Sequence, residues 1–94
     1  MEPYNELYKI IVIEHGMEPD KKFEVNGYYL TVADYIQAVS DRGGHKKILA
    51  VLKMIDHSNI ETFVKGAINR IIQETLVGNK DFVNYYKPII KKVS

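Results

Sequence analysis

The chain contains no cysteine, and this absence excludes a disulfide framework, a thiolate zinc site and a cysteine nucleophile. It also has little continuous apolar sequence, because runs such as Ile10–Ile13 fall far short of the ~20 residues that a membrane-spanning helix needs. Met1–Pro3 lack the basic and apolar regions with which a signal peptide begins. We therefore expect a small soluble protein in the cytoplasm, with no membrane contact.

Recognisable catalytic motifs are missing as well. The three histidines, His15, His45 and His57, do not occur in the H-x-x-x-H or H-E-x-x-H spacing of metal sites, and no glycine-rich phosphate loop is present. Asp56-His57-Ser58 contains the residue types of a hydrolytic triad, but working triads combine residues from distant parts of a chain. We therefore expect no enzymatic activity, no catalytic or metal-binding residues and no cofactor.

The 94 residues suit one small globular domain spanning residues 1–94, because a chain of this size buries roughly 65% of its unfolded surface in a single core. The net charge is only +1, but residues 1–44 carry eight acidic and four basic residues, whereas residues 45–94 carry four acidic and nine basic ones. This asymmetry indicates a basic surface for an acidic partner, unless both halves share one core and their charges are interspersed on its surface.

Hydrophobic periodicity and turn signals predict a mainly α fold, with about five amphipathic helices in a compact bundle and one short β-hairpin near residues 23–30. The hairpin follows from Asn26-Gly27, because a type I′ turn needs positive φ at both central residues. Residues 3–15 have apolar side chains at i, i+3, i+4 and i+7, counted from Tyr4, which favours a helix. The β-branched run Ile10–Ile13 would also suit a buried strand, so this alternative stays open.

Two capping boxes mark expected helix starts. Thr31 with Asp34 begins the second helix, and Ser58 with Glu61 begins the fourth. The third helix is expected at about residues 45–55, with an inward face formed by Ile48, Leu49, Val51, Leu52 and Ile55.

The fourth helix, at about residues 59–77, is expected to be the longest, with a continuous apolar seam from Ile60 to Leu76. Gly66 in its middle costs ~1 kcal/mol relative to Ala, which indicates that a neighbouring backbone approaches closely there. A fifth helix is expected over residues 80–93, where Pro88 should kink or split it.

Nucleic-acid binding is the second of two candidate functions. The third and fourth helices, residues 45–77, are joined by a short turn with the spacing of a helix-turn-helix. The outward face of the fourth helix carries hydrogen-bonding side chains, and lysines recur at helical spacing in the basic C-terminal half. The pI near 7.9 is low for this class. The candidate contacts are Arg42, Lys46, Lys47, Lys53, Thr62, Lys65, Asn69, Arg70, Lys80, Lys87 and Lys91.

Protein–protein interaction is the favoured function, with the chain acting as a non-catalytic binding or regulatory module. Four of the seven tyrosines form two consecutive pairs. Adjacent residues on a strand face opposite sides, so one member of each pair should be exposed, where tyrosine gives a large contact area at low entropic cost. Homodimerisation through the fourth helix is part of this prediction. The candidate contacts are Tyr28, Tyr29, Tyr85 and Tyr86.

Overall fold

The computed structural model describes residues 2–94, which form a mainly α fold with a small antiparallel sheet. Helix α1 (Pro3–Tyr8) begins with Pro3 in its first turn and continues as a π-helical segment, Lys9–Glu14. The prediction of a helix over residues 3–15 is therefore confirmed, and the strand alternative is wrong. Two consecutive residues of this π-helical segment, Ile10 and Ile11, are buried in the core.

The predicted hairpin is present as strands β1 (Lys22–Val25) and β2 (Tyr28–Thr31). The two turn residues have positive φ, 52° at Asn26 and 85° at Gly27, as a type I′ turn requires. Phe23 lies opposite Leu30 in the ladder, and both side chains are buried against the helices. The short arms are thus stabilised by packing on one face.

A third strand, β3 (Lys91–Lys92), pairs antiparallel with β2 and gives the sheet order β1-β2-β3. The expected helix over residues 80–93 is therefore wrong beyond Tyr86. Pro88 lacks a backbone N–H and ends the helical path, after which the chain turns back toward the hairpin. The N–H of Val93 then donates to the carbonyl oxygen of Gly27 at 2.8 Å.

Helix α2 (Val32–Arg42) begins at the predicted capping box. The Thr31 hydroxyl accepts from the Asp34 N–H at 3.0 Å, and the Asp34 carboxylate accepts from the Thr31 N–H at 3.0 Å. Gly43, with a φ of 85°, ends the helix in the left-handed conformation that glycine adopts without strain.

Helix α3 (His45–Met54) and helix α4 (Ile60–Leu76) flank a short 3₁₀ turn, His57–Asn59. The predicted Ser58–Glu61 capping box does not form, since Asn59 takes the N-cap position of α4 without a side-chain hydrogen bond. Glu61 instead pairs with Lys21, beside β1.

The core is one cluster that joins α4 to the hairpin and to the other helices. Most of the predicted α4 seam is buried, but Leu76 is 43% exposed and Thr75 is buried in its place. On α3, Leu49 and Leu52 face the core, whereas Val51 is exposed, contrary to prediction. Gly66 is exposed with nothing within 4 Å of an added Cβ atom, so the expected close backbone approach is also wrong.

Helix α5 (Lys80–Tyr86) follows α4 after a tight turn through Gly78, where φ is 86°. The Asn79 side chain caps α5 by accepting from the Asp81 N–H at 3.2 Å. Phe82 and Tyr86 are buried against the core, Val83 and Tyr85 are half-buried, and Lys80, Asp81 and Asn84 are exposed.

Candidate functional site

An open groove of about 580 Å³ lies between the end of α4, one side of α5 and the sheet. Its lining residues are apolar, neutral polar or basic, and none of them is acidic. They are Tyr28, Thr75, Leu76, Gly78, Lys80, Val83, Asn84, Lys87 and Ile90. We call this site the α5 groove.

Two local features of the sequence create the α5 groove. Gly78 turns the chain between α4 and α5, and Pro88 ends the helical path so that Ile90 and β3 return along Tyr28. On α5, Lys80, Asn84 and Lys87 recur at helical spacing and line the same site. The α5 groove therefore combines apolar side chains with two lysines.

Exposed apolar surface continues beyond this groove. Leu76 is 43% exposed, and the adjacent Val77 is 76% exposed. Large apolar side chains left in water beside a concave surface are typical of interaction sites.

The four predicted tyrosine contacts lie in different surroundings. Tyr28 is half-buried and lines the α5 groove. Tyr29, also half-buried, lies under the Lys22 ammonium, whose nitrogen is 4.8 Å from the ring centroid. Tyr85 is half-buried, with its hydroxyl 3.4 Å from the carbonyl oxygen of Ala38. Tyr86 is only 4% exposed, so it lacks the accessible area that a contact residue needs.

All eleven predicted nucleic-acid contacts are exposed, but they do not form one continuous face. Lys53 lies in a depression shared with Glu6 and Glu14. Thr62 and Lys65 line another, together with the Lys21–Glu61 ion pair. Hydrogen bonding from Lys21 lowers the pKa of the Glu61 carboxyl, which keeps that pair charged and mutually neutralised.

The expected lysine row on the fifth helix is interrupted at its last member. Lys80 and Lys87 both line the α5 groove, whereas Lys91 lies on β3 and binds Asp34 through a 3.0 Å ion pair. Lys46 is exposed at the start of α3, and Asn69 accepts a 3.3 Å hydrogen bond from Gln73 on the surface of α4. The remaining three candidates, Arg42, Lys47 and Arg70, line one separate cleft.

The helix pair predicted from residues 45–77 is not arranged as a helix-turn-helix. Five residues, Ile55–Asn59, connect α3 to α4 and include the 3₁₀ turn. Helix α3 packs mainly on α1, the π-helical segment and α2, whereas α4 packs mainly on α5 and the hairpin. The outer face of α4 is therefore not presented by α3 in the way that a recognition helix is.

Two histidines from distant loops meet on the surface. The Nδ1 atoms of His15 and His57 are 3.3 Å apart, and the ring centroids are 5.4 Å apart with ring planes at 16°. A hydrogen bond between the two Nδ1 atoms requires an N–H on one ring and an unprotonated nitrogen on the other, so the contact depends on the tautomers. Within residues 2–94, no group of three or more His, Asp or Glu side chains is placed to hold a metal ion.

A search of protein-family models, curated proteins and solved structures found no match to this chain. None of the helices within residues 2–94 is sufficiently long and apolar to cross a bilayer.

Proposed function

We propose that this chain is a non-catalytic protein-binding module whose α5 groove docks a short segment of a partner protein, one that carries apolar side chains beside carboxylates. The observation that supports the proposal is the composition of the groove, in which Tyr28, Leu76, Val83 and Ile90 are apolar while both charged lining residues are lysines.

The apolar part of the α5 groove supplies the binding energy in this proposal. Few residues carry most of the affinity at a protein interface, and they are apolar or aromatic anchors that become fully desolvated. Leu76 and Val77 are exposed in the free chain and would lose contact with water when a segment lies across them.

The lysines supply selectivity for the partner's charge. Lys80 and Lys87 lie on the groove without an acidic residue among its lining, so the charges that face a bound segment are positive. An incoming carboxylate is attracted, and a segment with basic residues is repelled. The expected partner segment is therefore acidic and amphipathic.

Selection from a random peptide library displayed on phage tests the proposal. We expect the immobilised full chain to enrich sequences that combine Asp or Glu with large apolar residues. A Lys80→Glu, Lys87→Glu double variant should instead enrich Lys and Arg, whereas a Lys53→Glu, Lys65→Glu control with the same change in net charge should select the original sequences. No enrichment, or the same shift in both double variants, would contradict the proposal.

A second copy of this chain is a competing occupant of the groove. Sedimentation velocity without added peptide separates the two cases, because the molecular mass obtained for a homodimer would be twice that of the monomer. We expect a monomer, since the partner segment we propose is acidic and belongs to another protein.

Nucleic-acid binding has less support from the geometry. The basic residues are divided among several depressions, some of which also contain carboxylates, and α3 and α4 do not pack as a recognition pair. Titration with mixed duplex and single-stranded DNA at ~50 mM salt tests this alternative, because phosphate contacts are strongest at low ionic strength.

A further inference from the structure

A second concave site lies on the opposite side of α5 from the groove. It is a cleft of about 640 Å³ between the end of α2, the start of α3, the middle of α4 and the start of α5. Its polar lining includes three basic side chains, Arg42, Lys47 and Arg70, and one acidic side chain, Asp81. We call this site the cationic cleft.

Arg42 is held in place before any ligand arrives. Its Nη1 donates a 2.9 Å hydrogen bond to the hydroxyl oxygen of Tyr86. Its guanidinium carbon lies 5.3, 5.7 and 5.2 Å from the ring centroids of Phe82, Tyr85 and Tyr86. Cation–π contacts of this kind fix a guanidinium without neutralising it, and within residues 2–94 the side chain of Arg42 donates only the bond to Tyr86 out of its five N–H groups.

Arg70 approaches the same aromatic cluster from α4. Its guanidinium carbon is 5.6 Å from the Phe82 centroid, so a single ring lies within cation–π distance of both arginines. Among residues 2–94, neither arginine forms an ion pair with a carboxylate, Asp81 included. The cleft thus concentrates positive charge that no side chain in contact with the arginines balances.

The start of α3 adds to this field. Gly44, which lines the cleft, is the N-cap of α3 and supplies no side chain to cap the first N–H groups. The first turn of this ten-residue helix contains Lys46 and Lys47 and no acid. A helix N-terminus therefore reinforces the attraction for an anion that the arginines already exert.

We propose that the cationic cleft binds the phosphate group of a small phosphorylated molecule. Arginine forks match phosphate oxygens with paired N–H donors, and Lys47 adds a point charge. The cleft has the volume of a small-molecule site, and basic residues such as Lys53 and Lys65 lie in separate depressions, so a phosphate ester of limited size fits better than a nucleic-acid backbone. This site is independent of peptide docking in the α5 groove.

Titration of the ¹⁵N-labelled full chain with inorganic pyrophosphate, followed by NMR, tests the proposal. We expect saturable shifts at Gly44, Lys47 and Asn79 and at the Nε–H groups of Arg42 and Arg70. The Arg70→Gln variant should weaken the affinity about tenfold or more, since hydrogen bonds to charged groups contribute ~1.5–3 kcal/mol. Arg42→Lys, which keeps the charge but loses the fork, should weaken it as well.

Lys65→Gln is the matched control, because Lys65 is an exposed base on the same helix as Arg70 but outside the cleft. Its affinity for pyrophosphate should equal that of the unmodified chain. Equal weakening by Lys65→Gln and Arg70→Gln would overturn the proposal, as would shifts spread over all basic residues. The proposal would also be overturned if duplex DNA bound in the cationic cleft and pyrophosphate did not displace it.

Discussion

Asp34 and Lys91, which are 57 residues apart in sequence, form a 3.0 Å ion pair that connects the start of α2 to the third strand. The same carboxylate accepts the N–H of Thr31 within the capping box. One side chain therefore caps a helix and holds the C-terminal strand, whose residue Lys91 pairs with Tyr29, against the hairpin.

This arrangement predicts a dependence of stability on pH. Partial burial tends to raise the pKa of Asp34, but hydrogen bonds from Thr31 and the interaction with Lys91 outweigh it, so the pKa is lowered on folding. Because the pKa of Asp34 is lower in the folded state, its ionised carboxylate stabilises the fold at pH values above the unfolded-state pKa near 3.8. This contribution is lost as pH falls through the lower folded-state pKa.

Urea unfolding at a series of pH values checks the prediction. The free energy of unfolding of Asp34→Asn should be lower than that of the original chain at pH 7, and the difference should shrink as the pH falls below about 4. Asp20→Asn is the control, because Asp20 is an exposed carboxylate outside this network, and the stability of this variant should change with pH as that of the original chain does. A constant difference across pH would contradict the proposed role of the Asp34 charge.

The Asn26-Gly27 turn should be intolerant of a β-branched residue. Gly27 has a φ of 85°, a region that costs an L-residue roughly 1–2 kcal/mol, so Gly27→Val should lower the free energy of unfolding by at least that amount. An added Cβ would meet nothing within 4 Å, so the effect would come from the backbone alone. Thermal unfolding followed by circular dichroism measures it, and an unchanged melting temperature would exclude the turn conformation.

Gly66 should behave in the opposite way. It lies in the interior of α4, is exposed, and has open space where a Cβ would be placed. Gly66→Ala should therefore raise the free energy of unfolding by about 0.5–1 kcal/mol, because alanine restricts the unfolded chain and favours helix. If Gly66→Ala lowered the free energy of unfolding, the prediction would be wrong, because the added methyl group would meet nothing within 4 Å.

Ile68 lies in the middle of the α4 seam and is 0% exposed. Ile68→Ala should lower the free energy of unfolding by ~2–5 kcal/mol, through lost burial and the cavity left behind. Val51→Ala serves as the control, since Val51 is largely outside the core and its truncation should have a small effect. Equal effects of the two substitutions in chemical denaturation would show that the α4 seam is not the centre of the core.

Features fixed by neighbouring residues could be predicted from the sequence. The hairpin turn at Asn26-Gly27 and the capping box of Thr31 with Asp34 both depend on groups within three residues of one another. The Ser58–Glu61 box was wrong because α4 begins one residue later, with Asn59 as its N-cap, and the Glu61 side chain pairs with Lys21, which is 40 residues away. Local patterns do not report competition of this kind.

The candidate sites could be predicted less well than these local features, because the fold brings their residues together from distant parts of the sequence. Lys91–Lys92 is too short and too polar to predict a strand, and its role appears only when it pairs with β2. Tyr28 and Lys87 were each predicted as contacts, but for different kinds of partner, and the fold brings them to one groove. The aromatic cluster around Arg42 joins it to residues about 40 positions away in sequence, so no sequence motif indicates it.

The affinity of two double variants for one selected acidic peptide tests the docking function most directly. By fluorescence anisotropy, Lys80→Glu with Lys87→Glu should weaken binding about tenfold or more, because both changes place carboxylates on the α5 groove. Lys53→Glu with Lys65→Glu should bind the peptide within about twofold of the original chain, since screening weakens charges beyond ~8–10 Å. Equal weakening of both variants would show that net charge alone attracts the peptide and would contradict docking in the groove.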